Sequence, residues 1–353
     1  MNAVELTRPL SALRKDDAAS FGGKSAALGE LLAAEIRVPP GFAISTQAFH
    51  AFLSEGRLDE TIAAEFAHVS AGDVESLEAA SDAIGEAMRV GAVPDDVRTE
   101  IARRYEELAD EAGVAEPPVA VRSSALGEDG EDATFAGQQA TYLWVRGAGP
   151  ICDAVRDCWI SLYSPPAVAY RARLGRESAA MGVTVQLMVD AEVSGVLFTC
   201  NPVSGDPSML AVNASWGLGL AVVGGEVTPD DFLVSKVTGE VVRETINPKE
   251  VEYVPDESGR GAVKVKVPPE RRAIRCLDGA ALGALVDVSR RVERAFGSHQ
   301  DVEWAIARGR PAPAGLNVVQ SRPVTALPRR AEPEVVKASA MARVMRSFGA
   351  EDA

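Results

Sequence analysis

Polar side chains alternate with apolar ones along two strand-like segments near the C-terminus. Asp301 and Glu303 share one face of the strand predicted for QDVEWAI, and Gln320 and Arg322 share one face of the strand predicted for LNVVQSR. If the two strands pair, two carboxylates, an amide and a guanidinium converge. Carboxylate and amide oxygens suit Mg²⁺, and arginine binds phosphate through two N–H groups. The set would serve phosphoryl transfer, although an exposed polar face with a surface ion pair predicts the same pattern.

The N-terminal segment FGGKSAALGE offers a second set of groups that could bind a phosphate. Two glycines precede Lys24 at the predicted start of a helix, so backbone N–H groups and one cation would be presented together. The GxxxxGK spacing of a Walker A loop is absent. The segment indicates an anion site only in combination with other features, because many helices begin after two glycines.

Two further segments allow a structural and a functional interpretation. In VAVRSSALGEDGEDATFAGQQATYLWV, Arg122 stands at the mouth of a predicted strand, before a loop with acids at 128, 129, 131 and 132. The arginine either pairs with this solvated loop or faces an anionic ligand while the acids face water. The glycine-rich stretch at 215–232 indicates tight turns or a backbone packed close to another group. A bulged hairpin and the wall of a ligand site both fit it.

The histidines and cysteines do not form a recognisable catalytic or metal site. None of His50, His68 and His299 stands in a setting that marks a nucleophile, and His299 lies closest in sequence to the strand pair. We therefore expect none of them to carry a phosphoryl group. The four cysteines contain no CxxC pair, which argues against a zinc site and favours free thiols in a cytosolic protein.

Length and hydrophobic pattern predict two lobes. A chain of 353 residues exceeds one small core. Helical spacing dominates the segment GKSAALGELLAAEI and residues 57–112, whereas short alternating runs from residue 183 onward predict strands, with a helix near 279–296. We predict an α/β (α+β) chain with a first lobe at 1–183, a sheet-rich second lobe at 184–327, and a linker or tail at 328–353.

Composition restricts the class of protein. The hydrophobic fraction of 46% and charged fraction of 25% are typical of soluble globular proteins. A net charge of −15 argues against a nucleic-acid binder, but it leaves room for a local basic pocket. No window approaches the ~18 apolar residues of a membrane span, and the N-terminus lacks the apolar core of a signal peptide. We expect a cytoplasmic protein that binds neither nucleic acid nor membranes.

Six segments, in this order, resemble the ATP-binding domain of phosphoenolpyruvate synthase and pyruvate phosphate dikinase, and rifampicin phosphotransferase has a related domain. They are FGGKSAALGELLAAEIRVPPGFAIST, VAVRSSALGEDGEDATFAGQQATYLWVRG, CWISLYSPPAVAYR, VTVQLMVDAEVSGVLFTCNPVSGD, ASWGLGLAVVGGEVTPDDF and QDVEWAI with VVQSRPVT. The resemblance runs from about residue 5 to 327. It implies an ATP-grasp fold in which two lobes clamp ATP.

The resemblance also implies roles for individual residues. Phosphates would be held by Lys24, Arg122 and Arg322, the catalytic candidates. The nucleotide site would be lined by Gly137 and Thr141, with Gln186 beside it. Mg²⁺, with Mn²⁺ as an alternative, would be bound by Glu303 and Gln320. The sequence departs from the family pattern at Ser25, Asn201 and Leu220 and in the segment SALGED. These departures place details of nucleotide binding in doubt but not the fold.

The sequence lacks the TSHAA-like motif of the domain whose histidine accepts the phosphoryl group in this family. We therefore expect a split enzyme in which this chain uses Mg·ATP to phosphorylate a histidine on a partner subunit. The arrangement resembles the two-subunit phenylphosphate and alkylphenol phosphate synthases, which implies a phenolic acceptor and release of AMP and phosphate. A split or truncated phosphoenolpyruvate synthase, a rifampicin-phosphotransferase-like enzyme and a non-catalytic nucleotide-binding regulator remain alternatives.

Overall fold

Helices and antiparallel sheets make up the chain, as the α+β prediction requires. The computed structural model describes residues 5–70, 72–125, 140–174, 180–256, 258 and 261–324. The helices are α1 (Ala18–Phe21), α2 (Gly23–Ala33), α3 (Thr46–Glu55), α4 (Leu58–His68), α5 (Val74–Val90), α6 (Asp95–Ala112), α7 (Ala148–Ser161), α8 (Pro165–Leu174), α9 (Leu220–Val223), α10 (Pro269–Arg272) and α11 (Gly279–Phe296).

The strands fall into two main sheets and one hairpin. They are β1 (Thr7–Pro9), β2 (Gly41–Ile44), β3 (Val119–Ala125), β4 (Thr141–Val145), β5 (Met181–Leu187), β6 (Ala191–Phe198), β7 (Met209–Trp216), β8 (Asp230–Ser235), β9 (Val241–Thr245), β10 (Val251–Pro255), β11 (Ala262–Lys266), β12 (Gln300–Ala307) and β13 (Leu316–Pro323). The first sheet has the order β1-β2-β5-β3-β4, the second has the order β13-β12-β6-β7-β8-β9, and β10 pairs with β11.

Each sheet buries one face against helices. Helices α3 to α8 cover the first sheet, with the rings of Phe52 and Trp159 stacked in that core. Helix α11 has an apolar stripe that includes Leu282, Leu285 and Val286, and this stripe packs against the second sheet. Helix α2 joins the second core although it lies between β1 and β2 of the first sheet in sequence. The two lobes are therefore tied together by shared packing.

The chain passes from the first sheet to the second after strand β5. The predicted boundary after residue 183 falls inside β5, which pairs with β3 over its whole length and with β2 over residues 183–186. We propose that the boundary lies between Leu187 and Ala191, where the chain passes from the first sheet to the second. Residues 325–353, which include the predicted tail, lie outside the described residues. No described helix has the length and apolar character of a membrane span.

Candidate functional site

A cavity of ≈180 Å³ lies between the two sheets. One part of its wall is apolar and comes from β4, the segment after β5, and the segment around α9: Leu143, Met188, Val189, Leu218, Leu220 and Val223. The other part carries the polar side chains Arg122, Thr141, Gln186 and Glu303. The cavity therefore has an apolar wall that suits a flat apolar group and a polar end that suits an anion.

Arg122 and Glu303 meet across the polar end of the cavity. Arg122 Nη2 lies 3.0 Å from Glu303 Oε2, although the two residues belong to different sheets. Arg122 Nη1 donates to the Val319 carbonyl at 3.3 Å, and Arg122 Nε has no partner among the described residues. The predicted phosphate ligand and the predicted metal ligand are thus in direct contact.

The two C-terminal strands pair as the alternation pattern predicts. In the β12–β13 ladder, Asp301 faces Arg322 and Glu303 faces Gln320. Arg322 donates through Nε at 2.8 Å and Nη2 at 2.7 Å to Asp301 Oδ2. Burial raises the pKa of Asp301, and the Arg322 guanidinium partly offsets this rise. The buried Gln320 Oε1 has no hydrogen-bond partner in the described part of the chain.

A β-bulge changes the face on which Val319 lies. The register passes from the Glu303–Gln320 pair directly to Trp304–Val318, so Val319 has no partner in the ladder. Regular alternation would place Val319 on the face opposite Gln320 and Arg322, but Val319 lines the cavity beside Glu303. The bulge also turns its carbonyl towards Arg122.

Lys24 lies beside the polar end, at the start of helix α2. Its Nζ donates to the Ser123 carbonyl at 3.0 Å, next to Arg122 in sequence. Ser25 follows it, and its hydroxyl lies 2.7 Å from the Thr184 hydroxyl on β5. The helix begins at Gly23, where the sequence predicts it. Lys24 is close to the other candidates, but it does not line the cavity itself.

The remaining predicted site residues have different outcomes. Thr141 lines the cavity and is paired with Arg122 in the β3–β4 ladder. Gln186 lines it from β5, and its Nε2 donates to the Pro39 carbonyl at 3.4 Å. Gly137 and the acidic loop at 128–132 lie outside the described residues. Gln320 and Arg322 stand next to the cavity on β13 rather than in its lining.

Sequence reasoning missed most of the apolar wall. The glycine-rich stretch left a hairpin and a ligand wall as alternatives, and Leu218, Gly219 and Leu220 do line the cavity. Met188 and Val189 follow β5 directly and gave no signal beyond strand alternation. The α9 turn was also missed, because four residues are too few to show a helical period.

His299 belongs to a separate polar cluster. Its Nδ1 lies 2.8 Å from Glu293 Oε1 on α11, and Lys236 Nζ donates to both oxygens of the same carboxylate at 2.8 Å. This helix packs against the second sheet in a core that also contains Val302 and Trp304. Among the described residues, no group of three or more His, Cys, Asp or Glu side chains could hold a metal ion.

The fold and the site together define a two-lobed α+β protein with a polar-ended cavity between its sheets. Comparison with protein families identifies residues 18–343 as matching the pyruvate phosphate dikinase, AMP/ATP-binding domain. The chain belongs to this family. Its helices and antiparallel sheets are consistent with the α+β, ATP-grasp-like fold that the sequence predicts.

Relatives with curated names carry the same domain. The chain is 40% identical to a probable phosphoenolpyruvate synthase of Methanothermobacter thermautotrophicus, over 92% of this chain and 47% of the relative. It is 36% identical to the phosphoenolpyruvate synthase of Pyrococcus furiosus, over 91% of this chain and 44% of the relative. The chain therefore spans about half the length of these relatives. The crystal structure of PH1788 from Pyrococcus horikoshii matches at 12% identity with a TM-score of 0.34, over 89% of this chain and 94% of that one, which is too low for any inference.

Proposed function

We propose that this chain uses Mg·ATP to phosphorylate a histidine on a partner subunit or domain, with release of AMP and phosphate. The proposal is supported mainly by the meeting of Arg122 and Glu303 beside an apolar cavity, next to a Gln320 Oε1 that has no partner among the described residues. A phosphoryl transfer site needs positioning and charge neutralisation more than covalent chemistry. This set of groups offers both.

The nucleotide is proposed to span the two parts of the cavity. Its base would pack against the apolar wall formed by residues such as Met188 and Leu220, and its phosphates would point to the polar end. There Arg122 offers a planar fork of N–H donors. Lys24, which contacts the Ser123 carbonyl, and Arg322 on β13 are proposed to add further cations. Thr141 and Gln186 would contact the nucleotide between these ends.

Glu303 and Gln320 are proposed to hold Mg²⁺, with Mn²⁺ as an alternative. Gln320 Oε1 is a buried oxygen without a partner among the described residues, and Glu303 faces it in the β12–β13 ladder. A hard cation that prefers oxygen ligands fits this pair, because Mg²⁺ usually takes one or two protein oxygens together with water and substrate phosphates. When bound, the metal would neutralise charge on the phosphate oxygens.

The accepting histidine is proposed to belong to the partner. His299 is held by Glu293 on α11 and does not line the cavity. In the net reaction, ATP and water would give AMP and inorganic phosphate, with one phosphoryl group retained on the partner's imidazole nitrogen. Removal of two phosphoryl groups from one nucleotide requires that both anhydride bonds break, so AMP rather than ADP identifies the reaction.

Two acceptors for the phosphohistidine are proposed. The resemblance to phenylphosphate synthases supports a phenol, whereas the names of the curated relatives support pyruvate. A phosphohistidine relay separates the transfer from ATP from the transfer to the acceptor, so the ATP site need not recognise the acceptor. The same ATP site could thus serve either acceptor, and the partner would determine which one is used.

A mixing experiment tests the proposal. The purified chain is incubated with Mg·ATP, a histidine-bearing partner, and either a phenol or pyruvate, and AMP is quantified. We expect AMP to form only when the partner is present. Binding of ATP without AMP release with any partner would support a nucleotide-binding regulator instead. AMP release with pyruvate but not with phenols would select the phosphoenolpyruvate synthase alternative.

Substitutions at the site refine the experiment. Glu303→Ala and Arg322→Ala are each expected to abolish AMP formation while the thermal unfolding transition is retained. Arg308→Ala provides the matched control, because Arg308 is also a partly exposed arginine paired with an aspartate, Asp190, but lies outside the site. Turnover that survives both site substitutions would refute the assignment of these residues.

A further inference from the structure

Arg122 connects the two lobes across the cavity. It lies on β3 of the first sheet, and its side chain donates to Glu303 Oε2 and to the Val319 carbonyl, which both belong to the second sheet. The Arg122 and Glu303 side chains are only 15% and 22% exposed. An ion pair so far withdrawn from water is stronger than a surface pair, so it constrains both side chains.

The second sheet is built to receive this arginine. Because the bulge leaves Val319 outside the β12–β13 ladder, its carbonyl is available to a donor from the first sheet. Glu303 stands at the same bulge, where it faces Gln320. The guanidinium therefore meets one charged and one neutral acceptor whose positions are set by the same backbone irregularity.

The same two side chains have opposite effects on a phosphate chain. Arg122 would attract phosphate oxygens, whereas the Glu303 carboxylate would repel them and already occupies one edge of the guanidinium. A metal ion bound by Glu303 would remove the repulsion and take over the carboxylate oxygen. Arg122 would then exchange its carboxylate partner for phosphate without leaving a charge unpaired.

We propose that the Arg122–Glu303 pair makes nucleotide binding depend on the metal, by holding the phosphate-binding arginine until a divalent cation takes its carboxylate partner. Glu303 is in this view both a metal ligand and a positioning residue for Arg122. The inference rests on the proposed function for the identity of the ligand, but it concerns binding and not turnover.

A thermodynamic cycle on nucleotide affinity tests this coupling. The dissociation constant of AMP-PNP is measured by calorimetry in EDTA and in Mg²⁺ for the wild type, Glu303→Gln, Arg122→Ala and the double variant. In EDTA, we expect Glu303→Gln to tighten binding by about tenfold or more, the range of one hydrogen bond to a charged group. In the Arg122→Ala background the same substitution should change affinity less than about twofold, since no arginine is released.

Asp301→Asn is the matched control for charge alone. It removes one carboxylate from the same strand, but its partner is Arg322 and not Arg122. The change in AMP-PNP affinity caused by Asp301→Asn should be the same in the wild-type and Arg122→Ala backgrounds. Equal tightening by Glu303→Gln with and without Arg122 would overturn the inference, because simple repulsion would then account for it. Replacement by Arg122→Gln serves as the second background if the alanine variant does not fold.

The outcomes separate this inference from the proposed function. If the wild-type chain binds no AMP-PNP in either buffer, the proposed function itself is wrong. If it binds AMP-PNP but the cycle shows no coupling between Arg122 and Glu303, the nucleotide site stands and the exchange is wrong. A tenfold effect of Glu303→Gln that disappears without Arg122 supports the exchange whether or not AMP is ever released.

Discussion

Substitution of Gly22 by alanine should damage the site through backbone geometry alone. Gly22 has φ 84° and ψ 156°, a region of backbone space that is essentially restricted to glycine. A Cβ atom at this position would stand 2.1 Å from the Ser124 carbonyl oxygen and 2.2 Å from the Ser124 hydroxyl oxygen. The strained backbone costs of order 1–3 kcal/mol and the overpacking about 1–3 kcal/mol. Gly22→Ala should therefore lower the free energy of unfolding by about 2–6 kcal/mol.

The clash lies between two elements that carry candidate phosphate ligands. Relief requires that the start of helix α2 moves away from the end of β3, and Lys24 moves with it. Loss of one charge-assisted contact to the phosphates would weaken AMP-PNP binding roughly 10-fold to 150-fold. Chemical denaturation measures the first effect and calorimetric titration with Mg·AMP-PNP measures the second.

Gly113→Ala separates the clash from the cost of a positive φ. Gly113 has φ 66° at the end of α6, and an added Cβ there would meet nothing within 4 Å. This control should lose only about 1–2 kcal/mol and bind AMP-PNP as the wild type does. Equal destabilisation of the two variants, with unchanged nucleotide affinity in both, would refute the proposed role of the Gly22 contact.

Two other substitutions test the electrostatics. Lys249→Met should lower the free energy of unfolding by about 3–5 kcal/mol, because it leaves the fully buried Asp230 carboxylate without its cation. Chemical denaturation should show that the double variant Lys249→Met with Asp230→Asn regains part of that stability. No regain would contradict the pairing. Asp301→Asn should raise the free energy of unfolding at pH 7, because burial raises the pKa of Asp301 in the folded chain. The folded chain favours the protonated Asp301 carboxyl, so the native aspartate is tolerated at low pH and becomes unfavourable as the pH rises through its raised pKa. The gain should therefore shrink towards pH 3 in a series of denaturation curves, and a gain independent of pH would exclude this cause.

The local features of the site could be predicted from sequence because they depend on strand alternation. Asp301, Glu303, Gln320 and Arg322 follow a period of two, and β12 and β13 pair so that these side chains meet. The bulge could not be predicted in the same way, because alternation assumes a regular ladder. A regular ladder would turn Val319 away from the cavity that it lines.

Contacts between distant segments left no local signal. Arg122 and Glu303 are 181 positions apart, and only the mutual placement of the two sheets brings them together. Trp144 is a second example, since it adopts φ 60° within β4 and packs on Ala191 and Leu218 of the other lobe. Strand propensity predicts neither the left-handed backbone nor the packing partner, because both are set by tertiary contacts.

The position of the metal and the nucleotide in a crystal tests the central claim most directly. Crystals of the chain are grown with Mn²⁺ and AMP-PNP, and the anomalous signal of manganese locates the metal. We predict that manganese lies against oxygens of Glu303 and Gln320, that the base fills the cavity beside Met188, and that Arg122 contacts phosphate instead of Glu303. Manganese away from these two side chains, or a nucleotide bound outside the cavity between the sheets, would contradict the account.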